Sequence, residues 1–138
     1  MEEKKQTGSN TKEIGTYYLK VQIKGLPDGG NFRGNWRSKY KKTSDWKSKV
    51  HMAVRGKIPE QPLQQVRLKY TRFSSSKMDW DNLVISFKAV QDGLVESGII
   101  KDDKVKNIPE IPIYAQEKAK KGEGYIEIEI WEINNSTS

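Results

Sequence analysis

The segment from Tyr125 to Ile133 constrains the fold most, because Tyr and three Ile residues alternate there with polar positions that include Glu127 and Glu129. A period of two puts the apolar side chains on one face and the acids on the other, which is the pattern of a strand covered on one side. Val66 to Phe73 repeats it, with Val66, Leu68 and Tyr70 set against Arg67, Lys69 and Thr71. Tyr17 to Lys24 reads as a third strand, ended by the run Gly25-Leu26-Pro27-Asp28-Gly29-Gly30. Between the strands the spacing predicts a helix over about Ser38 to Arg55, closed by Gly56. Thr43, Ser44 or Asp45 could instead cap a shorter one. A second helix is expected from about Asn82 to Ser97, with Gly98 as a left-handed C-cap. A short strand is expected near Lys104 to Ile108, before a loop marked by Pro109 and Pro112. The order β-α-β-α-β-β points to an α+β single domain with a mixed sheet and two helices. Residues 1–14 are expected as a disordered arm, 15–133 as the domain and 134–138 as a flexible tail.

A chain of 138 residues suits one core. No run approaches the eighteen apolar residues of a membrane span, and the polar N-terminus lacks the apolar middle of a secretory signal. Cysteine is absent, which excludes disulfides, thiolate zinc sites and a cysteine nucleophile. A cytoplasmic protein without membrane partners is the expectation. The net charge of +7 is concentrated: Arg33, Arg37, Lys39, Lys41, Lys42, Lys47, Lys49, Arg55 and Lys57 face a single acid, Asp45, over Arg33 to Lys57. That segment carries +8 and the remainder −1, as a surface that neutralises phosphates would require. Trp36, Tyr40 and Trp46 are interleaved with the charges; they could stack on bases or anchor the segment in the core.

Chemistry is concentrated between Asp79 and Asp103. On a helix, Leu83, Phe87, Val90 and Leu94 form one apolar stripe, while Asp81, Lys88 and Asp92 form a second on nearly the opposite side. Asp79 and Asp81 are two apart, so in an extended segment both carboxylates would face one point. If the strand after Asp102-Asp103 lay beside the one ending near Phe73, Asp103 could return there, and three carboxylates would make a hard oxygen site suited to magnesium. Each part also has an ordinary reading. Asp81 suits a helix N-cap, Asp79 a turn, Asp102-Asp103 another turn, and Lys88 with Asp92 an exposed ion pair. His51 has no partners for a zinc site, and no serine has a histidine and carboxylate placed for nucleophilic catalysis.

Taken together, Asp79-x-Asp81-Asn82-Leu83, Lys88-x-x-x-Asp92-Gly93-Leu94 and Gly98-Ile99-Ile100-x-Asp102-Asp103 resemble the signature of the RusA family of phage and prophage Holliday junction resolvases. A looser likeness extends upstream through Asn31 and the basic segment, and downstream to the last strand. The resemblance implies a homodimeric crossover junction endodeoxyribonuclease acting in DNA recombination and repair in a bacterial host. It would cut four-way DNA by paired symmetric nicks that leave 5′-phosphate and 3′-hydroxyl ends. Asp79, Asp81 and Asp103 would be the ligands of Mg2+, with Mn2+ as a substitute, Lys88 the catalytic lysine, and no small-molecule cofactor is implied. Arg33, Arg37, Lys39, Lys41, Lys42, Lys47 and Lys49 would contact DNA phosphates. In the family's pattern the lysine follows the Asp-Asn pair sooner, so a short insertion falls around Val84 to Ser86 and bears on both Lys88 and the helix start at Asn82. A broader flap or fork nuclease, and a non-catalytic DNA-binding module of the same fold, remain open alternatives.

Overall fold

The computed structural model describes residues 13–29 and 35–134. Strands β1 (Glu13–Lys24), β2 (Val66–Ser74), β3 (Ile113–Lys118) and β4 (Tyr125–Asn134) form one sheet in the order β1-β4-β2-β3. β4 runs antiparallel to both neighbours, and β2 and β3 are parallel, so the sheet is mixed. Helices α1 (Trp36–Val54), α2 (Trp80–Ser86) and α3 (Lys88–Glu96) complete the α+β domain. The alternation seen in sequence decides which face is buried. Ile126, Ile128 and Ile130 of β4 are fully buried, as are Val66, Leu68 and Tyr70 of β2. The opposite face carries polar cross-strand partners: Gln22 Nε2 donates to Glu127 at 3.0 Å, and the Tyr18 hydroxyl donates to Glu129 at 2.8 Å.

Three expectations are corrected. Residues 1–12 and 135–138 lie outside the described residues, but Glu13 and Ile14 already pair with Asn134 and Ile133, so strand pairing reaches into both drawn ends. Lys104 to Ile108 is a turn, not a strand. The amides of Asn107 and Ile108 both donate to the Lys104 carbonyl at 2.8 Å, and Val105 is exposed. The strand that pairs with β2 is β3, further along. The second helix starts at Trp80 and breaks at Phe87, whose amide reaches back only three residues to the Val84 carbonyl (3.2 Å) at φ −92° and ψ 3°. The break falls directly after residues 84–86, where the resemblance places its insertion. It leaves the apolar stripe intact, since Leu83, Phe87, Val90 and Leu94 are all buried.

Two contacts fix the helices. Gly93 lies where α3 crosses α1: a Cβ there would stand 3.0 Å from the Val50 Cβ, so any larger residue would push the helices apart by a few tenths of an ångström. Beside it Lys47 donates to Glu96 at 2.8 Å, and that hydrogen bond raises the lysine pKa. α3 ends at Ser97 with Gly98 at φ +92°, its amide donating to Val95 and the next amide, Ile99, to Leu94. This paired closure is the expected left-handed glycine cap.

Candidate active site

The acids and the lysine of the signature are placed by four different devices. Asp79 is the N-cap residue of α2, its carbonyl taking the Leu83 amide at 2.9 Å while its side chain makes no capping bond. The residue before it is clamped. Gln116 of β3 donates through Nε2 to the Met78 carbonyl (3.0 Å) and accepts the Met78 amide on Oε1 (2.9 Å), so a side-chain amide continues the sheet's pairing into the loop. Asp81 lies in the first turn, where its carboxylate accepts the Asn82 amide at 3.0 Å. Behind it Gly29 packs closely against Asn82: a Cβ would stand 3.1 Å from both the Asn82 carbonyl oxygen and its Cβ.

Lys88 opens α3 and is aimed by its neighbour. Phe87 is buried and stacks on Tyr70 at 4.9 Å with 15° between the rings, which holds the helix break in place. Burial pushes the Tyr70 phenol well above its ordinary pKa, and its hydroxyl donates to Gln91 at 2.9 Å. From this platform the Lys88 ammonium reaches Asp92 at 3.2 Å and Asp103 at 3.8 Å. Asp103 arrives by another route. After the glycine cap, Ile100 bridges to Leu63, with Leu63 donating to Ile99 (2.8 Å) and Lys101 to Leu63 (3.0 Å). The following turn is closed by Asp102, which accepts the Asp103 amide at 2.8 Å; that bond, helped by Lys104, holds the Asp102 carboxyl below its usual range.

The structure therefore brings Lys88, Asp92 and Asp103 together, and it leaves Asp79 and Asp81 outside that cluster. Among the described residues no three acidic or histidine side chains stand close enough to hold a metal ion jointly. The expected convergence of Asp79, Asp81 and Asp103 on one point is thus not assembled. Two local facts account for this. α2 begins at Trp80, so the pair is not in one extended segment, and Asp103 lies in a turn instead of beginning a strand beside β2. The donor chemistry still suits a hard divalent cation, because all three groups are carboxylates.

Next to Lys88 lies a cleft of about 230 Å3, lined by Lys39, Lys42 and Trp46 of α1 and by Ile85, Lys88 and Asp92 across from them. The basic residues divide along α1. Arg37, Lys39, Lys41 and Lys42 occupy its exposed first turns, where Arg37 lies 5.2 Å over the Trp36 ring and Lys42 pairs with Asp28 at 3.3 Å. Lys47 and Lys49 do structural service, one on Glu96 and the other 4.4 Å over the Trp46 ring. Arg33 and Asn31 lie outside the described residues. Trp46 is a core anchor, whereas Trp36 and Tyr40 are exposed.

Sequence reasoning passed over Gln116 and Arg72. Arg72 of β2 is 8 % exposed; its Nη2 donates to Ser74 at 3.4 Å, and Nε and Nη1 have no partner among the described residues. Burial lowers its pKa. An arginine on the buried face of an alternating strand was the available signal. For Gln116 there was none, because its partner is backbone.

No protein-family model matches this sequence, and no curated protein sequence matches it significantly.

Proposed function

We propose that this chain is a Mg2+-dependent endonuclease of the RusA type that cuts four-way DNA junctions as a homodimer. The observation that carries the reading is the meeting of Lys88 with Asp103 across fifteen residues of chain, beside a cleft whose other wall is the basic helix α1. An ion pair of exposed groups contributes little stability, so its position matters more than its energy: Lys88 and Asp92 line the cleft opposite Lys39 and Lys42, and Asp103 stands 3.8 Å from the Lys88 ammonium.

Asp79, Asp81 and Asp103 would hold the metal ion. When bound, such an ion lowers the pKa of a coordinated water and neutralises charge on the phosphate. The remaining work belongs to the chain. Lys88 places a positive charge beside the phosphate oxygens as negative charge grows on them. Asp92, one turn along α3, keeps the ammonium pointed into the cleft. Lys39, Lys41 and Lys42 hold the strand through phosphates, positioning it without reading sequence. The Gln116 clamp and the Gly29 contact fix the backbone that carries Asp79 and Asp81. Two-fold symmetry of a homodimer would match that of the junction and give paired nicks.

One observation favours a second reading. Among the described residues no group of three carboxylates is gathered, and a module that only holds DNA would need none. Asp81→Asn separates the two. The change keeps size but removes a charge the cation needs, so junction cutting should fall by several kcal/mol in barrier, on the order of a thousandfold or more, while a gel shift shows binding intact or tighter. Cutting at the wild-type rate by Asp81→Asn would make this aspartate an ordinary first-turn helix residue.

A further inference from the structure

Eighteen residues separate Trp36 from Val54 on α1, and at 3.6 residues per turn that is five whole turns, so both lie on the same side of the helix. Val54 is fully buried; Trp36 is 72 % exposed. Tyr40, one turn after Trp36 on nearly the same side, is 70 % exposed. The inward stripe of α1 thus runs beyond the domain it packs against, and its first two turns carry two bare aromatic rings. The same two turns supply Lys39 to the cleft beside Lys88.

We infer that Trp36 and Tyr40 form a stacking platform for unpaired nucleotides of the DNA that the cleft receives. The inference rests on the nucleic-acid reading above and adds what that reading lacks, a reason to prefer disrupted over intact duplex. Charge selects the occupant. Arg37, Lys39, Lys41 and Lys42 share the two turns that carry the rings, and the acids paired with them are Asp45 on Lys41 and Asp28 on Lys42, which leaves the patch net cationic. A second copy seated here by a two-fold axis would set this cationic patch against itself, whereas a polyanion complements it. Aromatic faces accept any base once it is unstacked, and base-paired duplex offers none. Arg37 over the Trp36 ring already holds that platform in place and adds a cation to it.

The test is equilibrium binding, in EDTA so that nothing is cut, of a fluorescent single-stranded oligonucleotide and of a blunt duplex of equal length. Trp36→Ala and Tyr40→Ala should each weaken single-strand binding about 5- to 100-fold and leave duplex binding within about twofold. Trp36→Phe, which keeps a ring, should retain most of the affinity. Both rings are exposed, so urea midpoints should match the wild type, and Tyr40→Ala carries the test alone if Trp36→Ala misfolds. Equal weakening on both DNAs, or none on either, would overturn the platform. So would a shift from dimer to monomer in light scattering of Trp36→Ala, which would give the rings to a protein interface. Because this test measures no cleavage, a wild type that binds single strands in EDTA but cuts nothing in a separate Mg2+ assay would sink the nuclease reading and leave this one standing.

Discussion

Trp36 and Trp46 stand ten residues apart on one helix, among lysines in both cases, yet one is 72 % and the other 8 % exposed. The second half of α1 is fastened: Trp46, Val50 and Val54 are buried, Gly93 of α3 packs against Val50, and Lys47 and Lys49 are engaged by Glu96 and the Trp46 ring. Among the described residues, the first half carries the same residue types without a buried anchor. Composition therefore does not assign a role to a basic, aromatic segment. What assigns it is whether the rest of the fold reaches that far, and here the fold stops at about the second turn.

The sharpest way to break this comparison is to truncate both tryptophans. Trp46→Ala removes a buried ring and should cost about 3–5 kcal/mol, a large part of the stability of a domain this size. Trp36→Ala should stay within about 0.5 kcal/mol of wild type. Urea unfolding measures both, and comparable destabilisation would mean that the first turns are packed after all. A smaller effect concerns the lysines. Replacing Lys39, Lys41 and Lys42 by alanine should make the dependence of log affinity on log salt shallower by about 0.9 for each phosphate no longer neutralised. Lys47→Ala with Lys49→Ala should change it less, because Lys39 and Lys42 line the cleft and Lys47 and Lys49 do not. An equal change from both sets would erase the distinction between the halves.

The smallest expected effect lies outside α1, at Asp102. Its folded-state pKa is below the ordinary 3.8, chiefly through the Asp103 amide, so its contribution to stability is present above that value and is lost as pH falls through the lowered one. Asp102→Asn lacks that contribution throughout. Wild type and variant should differ slightly near neutral pH and converge in acid, with junction cutting largely retained, since this carboxylate closes a turn. A difference that grew in acid would contradict the assignment.

Much of the fold was legible because burial and alternation agree. In β2 and β4 the apolar residues of the period-two pattern, Val66, Leu68, Tyr70, Ile126, Ile128 and Ile130, are the fully buried ones, whereas in β1 Val21 and Ile23 are buried with Leu19, and Tyr18 is exposed. β3 was not legible: it is an edge strand of six residues, Ile-Tyr-Ala-Gln-Glu-Lys, in which no residue is fully buried, so no face is marked by hydrophobicity. A strand was expected instead at Lys104 to Ile108, where a turn forms. The break at Phe87 was hidden for a different reason. The apolar stripe runs through it unaltered, and Phe87 packs there on Tyr70 and Tyr114. In the site, the Lys88–Asp92 pair followed from helical spacing, whereas the Lys88–Asp103 contact depends on the Leu63 bridge and the glycine cap, both beyond the reach of local pattern. The gathering of three acids was expected from a strand that does not form.

The central claim is that the group around Lys88 and Asp103 serves DNA cleavage, and it is tested most directly by one gel assay. Wild type and Asp103→Asn are each incubated with Mg2+ and a four-way junction, a flap or a plain duplex, with binding followed in parallel. Wild type should nick the junction in symmetric pairs and cut the plain duplex far more slowly, while Asp103→Asn binds the junction and leaves it whole. If wild type binds the junction but cuts none of the three with Mg2+ or Mn2+, or if Asp103→Asn cuts as fast as wild type, the claim is wrong.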